Sequence, residues 1–246
     1  MENRLVIPST WELPPEITSR FGEKAGRQRL MEHAGHLLLV LHQVPAPDSN
    51  ERHGVLFWRK PDGTWETAEK GGGIAALRRH VDSYGQAVED LDDQLDTTRA
   101  ADGLFRILSA VAPLLRSAKN LHSVLQSARE SAVNDKDIIT LRDQAYSIER
   151  TADLLRIEAK NALDFDIARR AEEQAAKSEE ISHAAHRLNV LAALFLPITA
   201  VSSVLGVNMP IGIEAWLTPG RFWTLMFFSL IIGFVLKQLV VKRSAA

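Results

Sequence analysis

The chain has 246 residues, 46% hydrophobic and 24% charged, and its 29 Lys and Arg against 31 Asp and Glu give a formal charge of -2. That balance excludes a protein built mainly to neutralise nucleic-acid phosphates, so no nucleic-acid partner is expected. The absence of cysteine removes disulfides, thiolate catalysis, iron–sulfur clusters and cysteine-based zinc sites together.

Taken in chain order, the opening MENRLVIPST has no basic stretch followed by an apolar one, so no signal peptide is expected and the large amino-terminal body should remain cytosolic. Strand-like runs follow at Leu37 to Val44, Val55 to Arg59 and Thr64 to Thr67, separated by turn-rich segments such as Pro45 to Asn50 and Pro61-Asp62-Gly63. They predict a small sheet within residues 1–73. The triple glycine Gly71 to Gly73 lacks the spaced glycines and the following Lys and Ser or Thr of a phosphate loop, and reads as a hinge or turn.

Helical patterns take over from there. They predict helices from Ile74 to about Ala100, from about Leu104 to Ala132 and from about Asp135 onward, with breaks at Asp102-Gly103 and Asn134-Asp135. No proline lies between Leu114 and Leu196 and no glycine between Leu104 and Leu205, so nothing stops the third helix. A helix from Asp135 to Leu205 would be roughly 100 Å long at ~1.5 Å per residue. Residues 74–187 are thus a cytosolic helical region ending in a stalk that runs on into an apolar segment.

From Leu188 to Ile213 there is no charged side chain, and a second apolar run covers Phe222 to Leu236, continuing past Lys237 to Val241. About 20 apolar residues span a bilayer core, and a lysine near a helix end reaches the headgroups along its own stem. We therefore expect membrane helices at 188–208 and 222–241, an outer loop at 209–221 and a basic tail at 242–246. Arg187, Lys237, Lys242 and Arg243 flank the spans on one side while the loop carries only Arg221, which places both termini in the cytoplasm of a multi-pass inner or plasma membrane protein.

Alternating steps of three and four residues from Asn161 give Asp164, Ala168, Ala171, Ala175, Ser178, Ser182, Ala185, Asn189, Ala192, Leu196, Thr199, Ser203 and Gly206, all small or polar except Leu196. Such a 3.5-residue repeat holds one seam toward a common axis when helices bundle. Small residues also let two membrane helices pack closely without any pore. Polar side chains within a span, here Asn189 and Thr199, usually face a bundle interior or a water-filled cavity. A ring of such helices would stack amide, hydroxyl and carbonyl oxygens, which suit hard divalent cations, with Leu196 as a hydrophobic constriction.

The segment Leu191 to Asn208, LAALFLPITAVSSVLGVN, resembles the first membrane helix of the CorA superfamily of divalent cation channels, in which an apolar stretch with a Pro-x-Thr element ends in Gly-Met-Asn. Pro197, Thr199, Gly206, Val207 and Asn208 occupy the matching places, and the order of parts matches over most of the chain. The resemblance implies an α+β membrane protein in which a small cytosolic α/β domain and a long stalk helix lead into the first of two transmembrane helices. It also implies a funnel-like homopentamer, the first helices lining the pore. In that picture Gly206, Val207 and Asn208 form the outer mouth and hold a hydrated cation, while Asn189, Ala192, Leu196, Thr199 and Ser203 line the pathway. Val207 replaces the family's Met, as aliphatic residues do in the zinc-transporting ZntB branch, and the outer loop carries Glu214 alone where the family has an acidic cluster.

Asp164, on the seam, and Asp166 could hold a cation between stalks, set against the plainer reading of solvated acids on a charged helix. Glu172, Glu173, Glu179 and Glu180 are expected to pair locally with Arg169, Arg170 and Lys177. His183 and His186 are spaced as a soft-metal pair or as interfacial histidines. His33, His36, His42, His53 and His80 are scattered, and no nucleophile elbow or HExxH pattern appears, so an enzyme is not expected. The expected function is a channel-type transporter of divalent cations, Mg²⁺ first and Zn²⁺, Ni²⁺ or Co²⁺ next, needing no cofactor beyond the cation as cargo and possible regulator. The alternative is a membrane-anchored oligomeric scaffold of the same architecture that has lost transport.

Overall fold

A computed structural model describes residues 6–22, 26–46, 53–68, 72–205 and 218–244. The chain divides into two units, Met1–Ala168 and Arg169–Ala246. In order, its elements are α1 (Pro15–Thr18), β1 (Arg29–His33), β2 (His36–His42), β3 (Gly54–Arg59), β4 (Trp65–Thr67), α2 (Gly73–Thr97), α3 (Ala101–Ser131), α4 (Lys136–Leu205) and α5 (Pro219–Ser244).

The four strands form an antiparallel meander in the order β1-β2-β3-β4, with Leu39 opposite both Leu30 and Phe57. β2 is covered on both sides, which is why its sequence is an unbroken apolar run rather than an alternating one. Leu37, Leu39, Leu41, Val55 and Phe57 belong to one core with the buried residues of α2, α3 and α4. Leu38, Val40, Leu56 and Trp58 face the other way, onto Met31, Trp11 and Ile17 of α1. β1 is a fourth strand beyond the three expected. In RLMEH only Met31 is buried, so an edge strand with one inward residue leaves little apolar signal.

The β1–β2 turn is tight: Ala34 has φ 47° and Gly35 φ 81°. A two-residue hairpin of that hand requires positive φ at both central positions, and an alanine there costs about 1–2 kcal/mol. Gly72 and Gly73, at φ 32° and 69°, turn the chain into α2, while Gly71 lies outside the described residues.

Three helices complete the first unit. On α3 the buried residues Leu104, Ile107, Val111, Leu114, Ala118, Leu121, Leu125 and Ala128 are spaced three and four apart, and on α4 Ile138, Leu141, Ala145, Ile148, Ala152, Leu155 and Ala159 repeat that spacing. Such stripes keep one face of each helix against its neighbours. The break between α2 and α3 lies at 98–100, ahead of the expected Asp102-Gly103. Thr98 turns its N–H and its hydroxyl back to the Gln94 carbonyl, and Gly103 donates to Ala100 inside the first turn of α3. α4 starts where the sequence indicated. The Asp135 carboxylate accepts the N–H groups of Asp137 and Ile138 at 3.1 and 3.2 Å, and its other oxygen accepts Arg59 Nε at 2.7 Å. One side chain thereby caps the long helix and ties it to β3.

A small polar network lies within this core. The Tyr84 hydroxyl donates to the His42 carbonyl at 2.8 Å and shares a 2.7 Å hydrogen bond with Ser117, which also accepts from Gln28. Burial pushes the Tyr84 phenol up to about 12. His80 packs its ring 5.3 Å from Phe57 and 5.7 Å from Tyr84, and burial lowers its pKa to about 4, so it is neutral in the folded protein.

Candidate functional site

α4 is a single helix through residue 205, with Pro197 inside it. Proline removes one backbone donor and crowds the preceding turn, yet α4 continues, as the sequence led us to expect. From Asn161 to Ser203 every member of the small and polar seam is exposed in the single chain, including Asn189, Ala192, Thr199 and Leu196, the last at 65%. The Thr199 hydroxyl donates to the Phe195 carbonyl at 2.9 Å, which leaves its oxygen lone pairs turned outward from the helix backbone.

A second stripe on the same stretch is half-buried: Val190, Ala193, Leu194, Pro197, Ile198 and Val201. Its counterpart on α5 consists of Phe222, Leu225, Met226, Ser229, Gly233 and Lys237. The two meet at Gly233, where an added Cβ would stand 2.6 Å from the Leu194 carbonyl oxygen and 3.4 Å from its Cα. One turn away Ser229 is 1% exposed, its hydroxyl donating to the Met226 carbonyl at 3.1 Å. Small residues four apart let two helix backbones approach closely. Sequence reasoning did not single out this pair, although Ser229-x-x-x-Gly233 inside an apolar run was the available signal. At about 100° per residue, the seam and the stripe that meets α5 lie on roughly opposite sides of α4.

The stalk carboxylates separate. Asp164 is exposed on the seam, whereas Asp166 is 5% exposed and continues the stripe of buried Leu155 and Ala159 and half-buried Ala162. Local pairing of the stalk charges is present in Arg169–Glu173 at 3.8 Å, and His183 lies 3.6 Å from Glu179, with His186 half-buried one turn on. Among the described residues no group of three His, Asp or Glu side chains is arranged to hold a metal ion. Gly206, Val207, Asn208 and Glu214, the expected outer mouth and loop acid, lie outside the described residues.

The first unit also holds a polar cleft of about 1320 Å³ between the β1–β2 turn and the end of α3, lined by Arg29, Glu32, His36, Ser127 and Glu130 among others. Trp58 Nε1 donates to His36 Nδ1 at 3.1 Å, which leaves the other ring nitrogen of a neutral His36 as the donor.

Within α4 and α5, two helices are long and apolar enough to cross a membrane, spanning Lys136–Val204 and Pro219–Gln238. The chain is similar to the full-length CmaX protein, at 18% identity with a TM-score of 0.47, over 87% of this chain and 79% of that one. It is also similar to the CorA magnesium transporter from Methanocaldococcus jannaschii, at 13% identity and a TM-score of 0.45, over 87% and 78% of the two chains. No curated protein sequence matches the chain. The family model described as CorA-like Mg²⁺ transporter protein matches residues 74–243, from the start of α2 to the last turn of α5, and the chain belongs to that family.

Proposed function

We propose that this protein is a channel-type transporter that lets divalent metal cations cross a membrane down their electrochemical gradient. Mg²⁺ is the first candidate, with Zn²⁺, Ni²⁺ and Co²⁺ after it. Copies of the chain, five by analogy with the family, would bring their α4 helices together around the Asn189, Ala192, Leu196, Thr199 and Ser203 seam. Gly206, Val207 and Asn208 would form the mouth and Glu214 would lie in the outer loop, with both termini in the cytoplasm. Asp164 would face its counterparts between stalks.

The observation that carries this reading is the division of faces on α4. The chain's own second apolar helix meets the stripe that includes Leu194, so the polar seam is left exposed on the other side. A membrane potential supplies ~2.3 kcal/mol per charge per 100 mV, about twice that for a divalent cation moving inward. Oxygen ligands suit Mg²⁺, which is reluctant to give up its water shell.

The test is dye-reported influx of Mg²⁺, Zn²⁺, Ni²⁺ and Co²⁺ into liposomes holding the purified protein at negative interior potential. Influx above that of empty liposomes, abolished by Asn208→Ala and by Asn189→Leu, is the expected result. No influx of any of the four from folded, oligomeric protein would replace this reading with the non-transporting scaffold.

A further inference from the structure

The cytoplasmic end of the two-helix hairpin carries more positive charge than its own acids can balance. Between Ser182 and Ser244 the basic residues are Arg187, Arg221, Lys237, Lys242 and Arg243, and the one acid is Glu214 in the connecting loop. α5 contains no Asp or Glu at all. No described acid pairs with Arg187 or Lys237, while the nearby Glu179 is engaged by His183.

Arg187 and Lys237 are the two that fall on the stripes where the helices meet. At about 100° per residue, His183, His186 and Arg187 share the side of α4 that carries Val190, Leu194 and Val201. Leu194 is the residue that Gly233 of α5 touches. Lys237, one turn beyond Gly233, is half-buried in the same stripe of α5, its Nζ 5.7 Å from the centre of the Phe234 ring. That contact holds the ammonium at the end of the apolar helix. Arg187, two turns before Leu194, and Lys237, one turn after Gly233, therefore stand at the same end of the hairpin, where both helices leave their apolar stretches.

We propose that Arg187 and Lys237, with His183 and His186 beside them, form a binding site for the phosphate of an anionic phospholipid headgroup in the inner leaflet. Two full positive charges at the polar boundary of a bilayer match a phosphodiester, with Arg187 offering a planar fork of donors and Lys237 a point charge. Histidine ring nitrogens add donors to the same oxygens. The site rests on the membrane reading of the family and is independent of whether the protein conducts ions.

The test uses the full-length oligomer in neutral detergent. Native mass spectrometry and melting curves are recorded with added phosphatidylglycerol, phosphatidylcholine, inorganic phosphate or glycerol 3-phosphate. Phosphatidylglycerol should bind in preference to phosphatidylcholine and raise the melting midpoint, with neither soluble anion reproducing the shift. Each basic residue near the surface accounts for about a fivefold change in affinity, so Arg187→Gln with Lys237→Gln should weaken phosphatidylglycerol binding about thirtyfold. Arg187→Lys with Lys237→Arg, which keeps the charges, should retain the preference and controls for misfolding. Equal binding of the two lipids, an unchanged preference in the double glutamine variant, or the same protection by inorganic phosphate would each overturn the proposal. Because lipid retention is read without ion flux, a protein that fails to transport still tests the site.

Discussion

The α carbon of Gly233 lies against the main-chain carbonyl of Leu194, and a methyl group at position 233 would come within 2.6 Å of that oxygen. A backbone oxygen cannot swing aside as a side chain can. Gly233→Ala should therefore force α5 away from α4 and lower stability by about 1–3 kcal/mol, the usual range for overpacking. Melting of the full-length protein in detergent checks this, and Gly233→Leu should be worse. An unchanged midpoint in both variants would show that the two helices do not pack through this glycine.

Asp135 uses its two oxygens on two elements, and substitution separates them. Asp135→Asn keeps an acceptor for the N–H groups at the start of α4 but loses the ion pair with Arg59, whose side chain is only 17% exposed. Asp135→Ala loses both and strands the guanidinium. Expected losses are about 1 kcal/mol for the first and about 3 kcal/mol for the second. Equal losses in thermal or denaturant unfolding would remove the capping role.

His80 makes the first unit sensitive to mild acid. Its folded pKa is about 4 against an ordinary value of 6.5. Between those values the unfolded chain takes up a proton that the folded chain refuses, so stability falls as pH drops from 6.5 toward 4 and levels off below. The full effect is about 3 kcal/mol. His80→Phe keeps an aromatic ring beside Phe57 and Tyr84 and should flatten that part of the profile. Melting midpoints of both proteins from pH 7.5 to 4, followed by tryptophan fluorescence, measure the difference. Parallel profiles would contradict the buried neutral His80.

Leu196 is the bulky apolar member of the seam and is 65% exposed in the single chain. If copies join along this face, Leu196→Ser should widen and wet the narrowest ring and raise cation influx several-fold, since hydrophobic constrictions gate by excluding water. Leu230→Ser, on an exposed face of α5, should leave influx within about twofold. Similar effects from the two substitutions would argue against a constriction at Leu196.

Much of this architecture could be read from residue patterns because burial leaves a periodic trace. The strands at Leu37 to His42 and Val55 to Arg59 were legible since both of their faces are covered, and α4 because no glycine or early proline interrupts it from Lys136 onward. β1 was not, having a single buried side chain, nor was the end of α2, which depends on where Thr98 sends its hydrogen bonds. The seam was visible as a list of small residues. Which side of α4 it would occupy with respect to α5 was not, because that depends on the single backbone approach of Gly233 to Leu194.

The doubly covered sheet also has a history during synthesis. Its outer side, with Trp11, Ile17, Leu38, Val40, Leu56 and Trp58, can close once residue 58 has left the ribosome, because every contributor precedes that point. The other side, with Leu37, Leu39, Leu41 and Phe57, waits for α3, the helix packed on β1 and β2, which ends at Ser131. Translation at roughly 5–20 residues per second leaves that greasy surface bare for about 4–15 seconds. During that interval the nascent chain is an adhesive half-domain, and the cell must shield Leu37, Leu39 and Leu41 until α3 arrives to cover them.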